Sequence, residues 1–280
     1  MILRWIGGKH FMINNLLQYI PRHKYYIEVF GGAGWLLFKK ARSYYEIYND
    51  IDSNLVNLFR VLRDDEKRKK FIELIKFTLY SREEFYFFKD ELENKGDSLD
   101  DLTRAYYFYC LNKMSFGGNN RTFGYYVMEK NVNLSSDSII RDINMFAERL
   151  RSVLIENLDF RELLNKYNYE RDCFIYLDPP YVLSSRGLKM YEYEMTDDDH
   201  RDLLNILLTK YPFGSEVKVM LSGYDNDLYK VLDENGWIRK EFDTICFFNR
   251  NSREVRNMDE ETQKEIVKRK EIIWLNYNLY

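Results

Sequence analysis

Asp178-Pro179-Pro180-Tyr181 is the segment of this 280-residue chain best suited to chemistry. It ends the apolar run Cys173-Phe174-Ile175-Tyr176-Leu177, which reads as a central strand covered on both faces. Ligands bind at such strand ends in open α/β sheets. Two consecutive prolines remove two backbone donors, so the local carbonyls stay free to accept from an outside N–H group. The Asp178 carboxylate is a second acceptor, and Tyr181 offers a flat π face. Two acceptors and a stacking ring suit a planar amine. An exocyclic nucleobase amine conjugates its lone pair into the ring and is a poor nucleophile. Hydrogen bonds drawing on both of its protons would push the nitrogen toward tetrahedral geometry and free that lone pair. A rigid turn after a strand is the competing reading of the same four residues.

A second candidate lies upstream, in Glu28-Val29-Phe30-Gly31-Gly32-Ala33-Gly34. It follows a strand signal and opens a helix signal, the context that a nucleotide-binding turn requires. Glycines let the backbone approach a ligand closely. The spacing departs from G-x-G-x-x-G, which argues against a pyrophosphate cofactor. Asp50 closes the next strand, about 20 residues on, where a ribose diol is held by a carboxylate. The pair points to an adenosine-containing ligand, whereas the glycine turn alone is also readable as structural.

The elements that must position these groups alternate along the chain. Residues 25–30 read as a strand, 33–41 as a helix, 45–50 as an alternating strand and 54–62 as a helix. From 63 to 150 this rhythm is lost. That stretch holds a charge run at 63–70, helical patches at 71–80, 83–93 and 102–111, and the Gly/Asn loop Ser115-Phe116-Gly117-Gly118-Asn119-Asn120. It reads as an inserted, mainly helical subdomain with one exposed polar loop or hairpin. The rhythm resumes with strands at 153–157, 173–177 and 217–221. Thr196-Asp197-Asp198-Asp199 caps a helix running to 211. Residues 237–248 and 270–277 read as a late antiparallel pair joined by a polar loop at 249–265. Strand–helix alternation with parallel crossovers predicts an α/β doubly wound sheet.

Composition narrows the class. Hydrophobic residues make up 45% and charged residues 31%, a globular rather than a disordered balance. No apolar run reaches the roughly 18 residues that span a bilayer. Cys110, Cys173 and Cys246 are scattered and form no CxxC pair, which argues against a disulfide framework or a structural zinc and for a reducing, cytoplasmic setting. A net charge of −3 argues against coating nucleic acid by bulk charge. Residues 1–45 nevertheless carry seven Lys/Arg against the single acid Glu28, so the remainder sums to −9. Such asymmetry either marks a face meant for an anion or reflects chance clustering.

Several motifs occur in one order: Arg4-Trp5-Ile6-Gly7-Gly8-Lys9, the turn from Glu28 to Gly34, Asn49-Asp50, Asn157-Leu158-Asp159-Phe160, Asp178 to Tyr181, and Leu221-Ser222-Gly223-Tyr224-Asp225. In this the chain resembles the Dam-like DNA adenine-N6 methyltransferases over nearly its whole length. The Asp-Pro-Pro-Tyr motif is shared with other amino methyltransferases, and the N-terminal W-x-G-G-K makes the combination more specific. The resemblance implies a Rossmann-like methyltransferase sheet from residues 1–62 and 151–280, with 63–150 as an inserted target-recognition subdomain. It implies S-adenosyl-L-methionine as cofactor, double-stranded DNA as partner, and neither a metal, a membrane nor an obligate protein partner.

Roles follow from the same resemblance. Trp5 and Lys9 become cofactor contacts, Lys9 toward the methionine carboxylate. Phe30, Gly31, Gly32 and Gly34 line the methionine side, where an aromatic face favours a sulfonium. Asp50 takes the ribose hydroxyls, and Asp159 and Phe160 border the cofactor adenine. Asp178, shared with the cofactor side, joins Pro179, Pro180 and Tyr181 in holding a flipped-out target adenine. Extruding that base costs a few kcal/mol. Methyl transfer to N6 is then direct, with no covalent enzyme intermediate. Lys113, Asn120 and Arg121 are the candidate DNA-reading residues of the insert, since Arg and Lys suit guanine and Asn suits adenine in the major groove. Arg250 and Arg253, in the polar loop before the last strand, suit phosphates. Solvated loop charges are the competing reading of all five.

Two other functions remain compatible with the residues. An RNA adenine methyltransferase would use the same Asp-Pro-Pro-Tyr site, and competition between duplex DNA and RNA separates the two. A catalytically silent DNA-binding module would bind DNA without consuming cofactor, a reading that the intact Asp50, Asp178 and glycine turn oppose. Protein glutamine methyltransferases usually carry Asn where this chain has Asp178. An orphan enzyme, a restriction–modification partner and a phage-borne modifier would share all of these residues.

Overall fold

A computed structural model of the chain describes residues 2–5, 9, 12–124, 134–167, 169–186, 192–245 and 268–279. The first half carries α1 (Ile13–Leu17), β1 (Tyr25–Glu28), α2 (Trp35–Lys39), β2 (Tyr45–Asn49) and α3 (Ser53–Arg63). The helices α4 (Asp65–Lys76), α5 (Arg82–Lys95), α6 (Asp101–Met114) and α7 (Asp137–Leu150) follow. Then come β3 (Val153–Glu156), α8 (Phe160–Lys166), β4 (Cys173–Leu177), α9 (Leu183–Arg186) and α10 (Asp197–Lys210). The chain closes with β5 (Lys218–Tyr224), α11 (Lys230–Glu234), β6 (Ile238–Ile245) and β7 (Lys268–Leu275). The seven strands form one sheet in the order β3-β2-β1-β4-β5-β7-β6. It is mostly parallel, a Rossmann-like doubly wound arrangement as the strand–helix rhythm predicts.

The chain divides into two compact units, Met1–Asn168 with Met190–Tyr193, and Tyr169–Lys189 with Glu194–Tyr280. In the first, β1, β2 and β3 pair in parallel, with Ile27 beside Ile47 and Ile47 beside Leu154. Strand β2 departs from the expected alternation, because Glu46 is buried along with Ile47, Tyr48 and Asn49. The Lys40 ammonium meets its carboxylate at 2.6 Å, and the Arg149 guanidinium also pairs with it. Burial alone would raise the Glu46 pKa, but these cations and the Ser43 N–H hold it below the usual range. A buried carboxylate is tolerated only when satisfied in this way.

The charge run at 63–70 leads into a helix. Asp64 caps α4 by accepting from the Glu66 and Lys67 N–H groups, and the run forms the first turns of that helix. The helix therefore spans Asp65–Lys76 and ends before the end of the 71–80 patch expected from apolar spacing, of which only Phe71 and Ile75 are buried within α4. The short helices α1 and α8 leave no periodic signal, since five and seven residues make at most two turns.

In the second unit β4 is buried at every position, matching its apolar sequence. Thr196 forms a capping box with Asp199 at the start of α10. The late antiparallel pair is present as β6 and β7, in register from Ile238 opposite Leu275 to Ile245 opposite Lys268. The loop expected at 249–265 lies outside the described residues. Among those described, Cys110 and Cys173 are free and buried, no helix is long and apolar enough to cross a membrane, and no His/Cys/Asp/Glu group has metal-ligand geometry. Cys246 lies outside them.

Candidate active site

The glycine turn is built by the pairing of β1 with β2. The Gly31 N–H donates to the Asn49 carbonyl at 2.8 Å, extending the ladder past the end of β1. Gly32 and Gly34 then take φ of 50° and 71°, the left-handed region that glycine enters without steric cost. The turn is also tightly enclosed. A Cβ on Gly31 would sit 2.1 Å from the Tyr48 ring, and one on Gly32 would sit 2.6 Å from the Trp5 indole nitrogen. The Tyr48 hydroxyl donates to the Gly32 carbonyl at 2.6 Å.

Asp50 clasps this turn. Its carboxylate accepts from the Gly32 N–H at 2.7 Å and from the Asp52 N–H at 2.9 Å. Behind the turn the buried Glu28 accepts from the Tyr26 hydroxyl and the Leu37 N–H, which fixes α2 against β1. The Asn157 side chain donates to the Asp50 and Ile51 carbonyls, while Asn49 exchanges hydrogen bonds with Leu158 in both directions. These bonds dock the 157–160 motif onto the end of β2. Asp159 caps α8, and the Phe160 ring lies 5.6 Å from that of Phe30. The structure thus brings Trp5, Gly31, Gly32, Gly34 and Asp50 together, with Phe30 and Phe160 as a neighbouring aromatic pair. Lys9 is buried, and its carbonyl accepts from the Met12 N–H.

Burial raises the Asp50 pKa against the pull of its backbone donors. Asp52, the cap of α3, is pushed up to about 7, first by burial and then by the charges of Asp50 and Glu192. A carboxyl with a raised folded pKa contributes stability that is present below its unfolded value and lost as pH rises through the folded one. Stability from Asp52 is therefore lost between about pH 4 and pH 7. Asn caps helices as well as Asp does. Asp52→Asn should gain in Tm over the parent by ~3 °C or more between pH 5 and pH 8 in thermal melts. Equal Tm differences at the two pH values would contradict this.

The Asp178–Tyr181 segment belongs to the second unit. Asp178 and Pro180 are partly exposed, whereas Pro179 and Tyr181 are buried. The Tyr181 hydroxyl donates to the Glu271 carboxylate at 2.7 Å, and its ring meets Tyr224 edge-on at 4.6 Å. Tyr224 and Glu271 are register partners across β5 and β7, so one rung of the sheet supplies both contacts. Burial raises the Tyr181 pKa, and the carboxylates of Asp178 and Glu271 add to it. Glu271 carries no motif, and its one sequence signal is an acid beside the apolar run Ile272-Ile273-Trp274-Leu275.

The expected loop or hairpin after α6 is a small hairpin. Ser115 and Phe123 form an antiparallel bridge, with Phe116 N–H donating to Thr122 and Gly124 N–H donating to Met114. Arg121 is exposed on it. Asn120 takes φ of 55°, and its side-chain oxygen accepts from Asn112. Lys113 is not a freely solvated charge. It lies in the last turn of α6 with its ammonium 5.7 Å from the Tyr109 ring centre, and burial followed by the Arg4 charge lowers its pKa to about 8. Arg250 and Arg253 lie outside the described residues.

Residues 5–243 match the family profile of the D12 class N6 adenine-specific DNA methyltransferases. The chain belongs to this family. It is an adenine-specific DNA methyltransferase, acting on DNA with a methyl donor. It is 25% identical to a DNA adenine methylase of Serratia marcescens over 236 residues, covering 81% of this chain and 84% of the relative. It is 26% identical to the type II methyltransferase M1.LlaDCHI of Lactococcus lactis subsp. cremoris over 253 residues, 85% of each chain. A DNA adenine methylase of Escherichia coli K12 is 32% identical over 118 residues, 41% of each.

Proposed function

We propose that this methyltransferase uses S-adenosyl-L-methionine and acts on a flipped-out adenine of double-stranded DNA, within the cytoplasm. The Asp50 clasp on the Gly32 N–H carries the cofactor reading. It fixes a glycine-rich turn beside a buried carboxylate, which suits a ribose diol. The Asp50 carboxylate takes backbone donors from Gly32, Asp52 and Ile51, and its two oxygens keep further acceptor capacity for hydroxyls. The Trp5, Phe30 and Phe160 rings offer the faces that an adenine and a sulfonium prefer. Lys9 supplies a cation for the methionine carboxylate, and Asp159 borders the cofactor adenine.

When bound, the cofactor supplies an electrophilic methyl group. The chain's own residues act on the other reactant. Asp178 and the carbonyls beside Pro179 and Pro180 accept the two N6 hydrogens, which localises the nitrogen lone pair. Tyr181, anchored by Glu271, packs against the base. Positioning and electrostatics supply the acceleration. Residues 63–150 form the target-recognition subdomain, with Arg121 reading a base and Asn120, Lys113, Arg250 and Arg253 on DNA.

Asp50→Ala should weaken S-adenosylhomocysteine binding by ~10-fold or more in calorimetry, as expected for lost hydrogen bonds to a charged group. Unchanged affinity would remove Asp50 from the cofactor site. A second outcome follows from Lys113. An acceptor on DNA needs the protonated amine, so DNA affinity should fall as pH rises through about 8. The loss reaches about tenfold for each pH unit by which bound DNA lifts that pKa. Filter binding between pH 7 and pH 9.5 should show this dependence in the intact protein and a flatter one in Lys113→Met. Identical profiles would place Lys113 away from DNA.

A further inference from the structure

Asn112 is an amide in the last turns of α6, fully buried, on the face that also buries Ala105, Phe108 and Tyr109. A polar group there must be satisfied, and its partners lie in two distant segments. Its side-chain oxygen accepts from the Arg4 N–H at 3.0 Å, and its amide nitrogen donates to the Arg4 carbonyl at 2.9 Å. It thereby grips one backbone residue in the manner of a neighbouring strand. The same nitrogen lies 3.3 Å from the Gly118 carbonyl and 3.2 Å from the Asn120 side-chain oxygen. Gly118 closes the junction from the other side. It takes φ of 78°, and a Cβ there would stand 2.4 Å from the Arg4 carbonyl oxygen. Arg4 leads directly into Trp5, whose indole lies against Gly32 of the Asp50-clasped turn.

We infer that Asn112 is a positioning residue that locks the recognition hairpin to the Arg4–Trp5 arm, so that DNA on the hairpin tightens cofactor binding at the glycine turn. The inference rests on the proposed roles of the hairpin and the turn. DNA that orders residues 118–121 also orders the arm through Asn112, and the cofactor then meets an arm already fixed. Such shared ordering gives positive coupling, and the coupling is reciprocal.

The test measures the affinity of S-adenosylhomocysteine, which cannot react, by calorimetry with and without a saturating unmethylated DNA duplex. In the intact protein DNA should tighten binding by about fivefold or more. Amide exchange at Arg4 should slow when DNA is added. Asn112→Ala should bring the affinity ratio to about one and abolish the exchange effect. Gly118→Ala should do the same by wedging the hairpin from the arm, and it serves if Asn112→Ala does not fold. A ratio still at about fivefold in either folded variant overturns the inference. So does a ratio of one in an intact protein that methylates DNA, and the functional reading then stands. An intact protein that binds no S-adenosylhomocysteine overturns the functional reading and the inference with it.

Discussion

Asp178→Ala should lower the rate of adenine methylation by ~10³-fold or more, while S-adenosylhomocysteine affinity stays within about threefold of the parent. The reason lies in what N6 needs. Its lone pair is delocalised into the purine ring, and acceptors on both of its hydrogens are what release it. Asp178 is one of those acceptors, and only a carboxylate or an amide oxygen at that position can replace it. The cofactor's proposed contacts lie chiefly elsewhere, in the turn that Asp50 clasps. Asp178→Asn retains one acceptor oxygen and should recover part of the lost rate. Radiolabelled methyl incorporation into DNA, measured beside calorimetric cofactor binding, separates these effects. Methylation by Asp178→Ala at the parental rate would remove Asp178 from the reaction.

The second large effect is expected at Gly31. An alanine Cβ there meets the Tyr48 ring at 2.1 Å, and that ring has nowhere to go. Tyr48 is fully buried, lies tilted against Phe59 at 4.8 Å and holds the Gly32 carbonyl through its hydroxyl. Either the ring or the turn must move, at a cost of ~1–3 kcal/mol. A moved turn breaks the register between the Gly32 N–H and Asp50. Gly31→Ala should therefore lose ~10-fold or more in cofactor affinity, with a Tm lower by several degrees, whereas Gly96→Ala should change neither. Gly96 makes a fair control, since a Cβ there meets nothing within 4 Å. Parental cofactor affinity in Gly31→Ala would show that the turn does not bind the ligand.

Much of this was legible in the sequence because the chemistry sits at strand ends. The apolar block Cys173–Leu177 predicts a covered central strand, and the structure buries each of its residues. Gly31, Gly32 and Gly34 betray a turn that side chains cannot enter, and Asp50 lies one strand later, where the structure joins it to Gly32. What stayed hidden depends on partners far apart in the chain. The alternation of β2 assigns Glu46 to the outside, yet Lys40 and Arg149 make its burial affordable, and Arg149 is over 100 residues away. Asn112 looks like one more polar residue at the end of a helical patch, and only its grip on Arg4 sets it apart. Glu271 reads as a strand residue until the β5–β7 register brings it to Tyr181. Lys113 reads as an exposed basic group, but the last turn of α6 draws it against Tyr109.

The most direct test of the central claim is chemical. The intact protein is incubated with S-adenosyl-L-methionine and unmethylated plasmid DNA, the DNA is digested to nucleosides, and the products are resolved by mass spectrometry. The expected product is N6-methyldeoxyadenosine, absent when the cofactor is withheld. Methyl groups found on cytosine, or on RNA added as competitor with none on DNA, would contradict it.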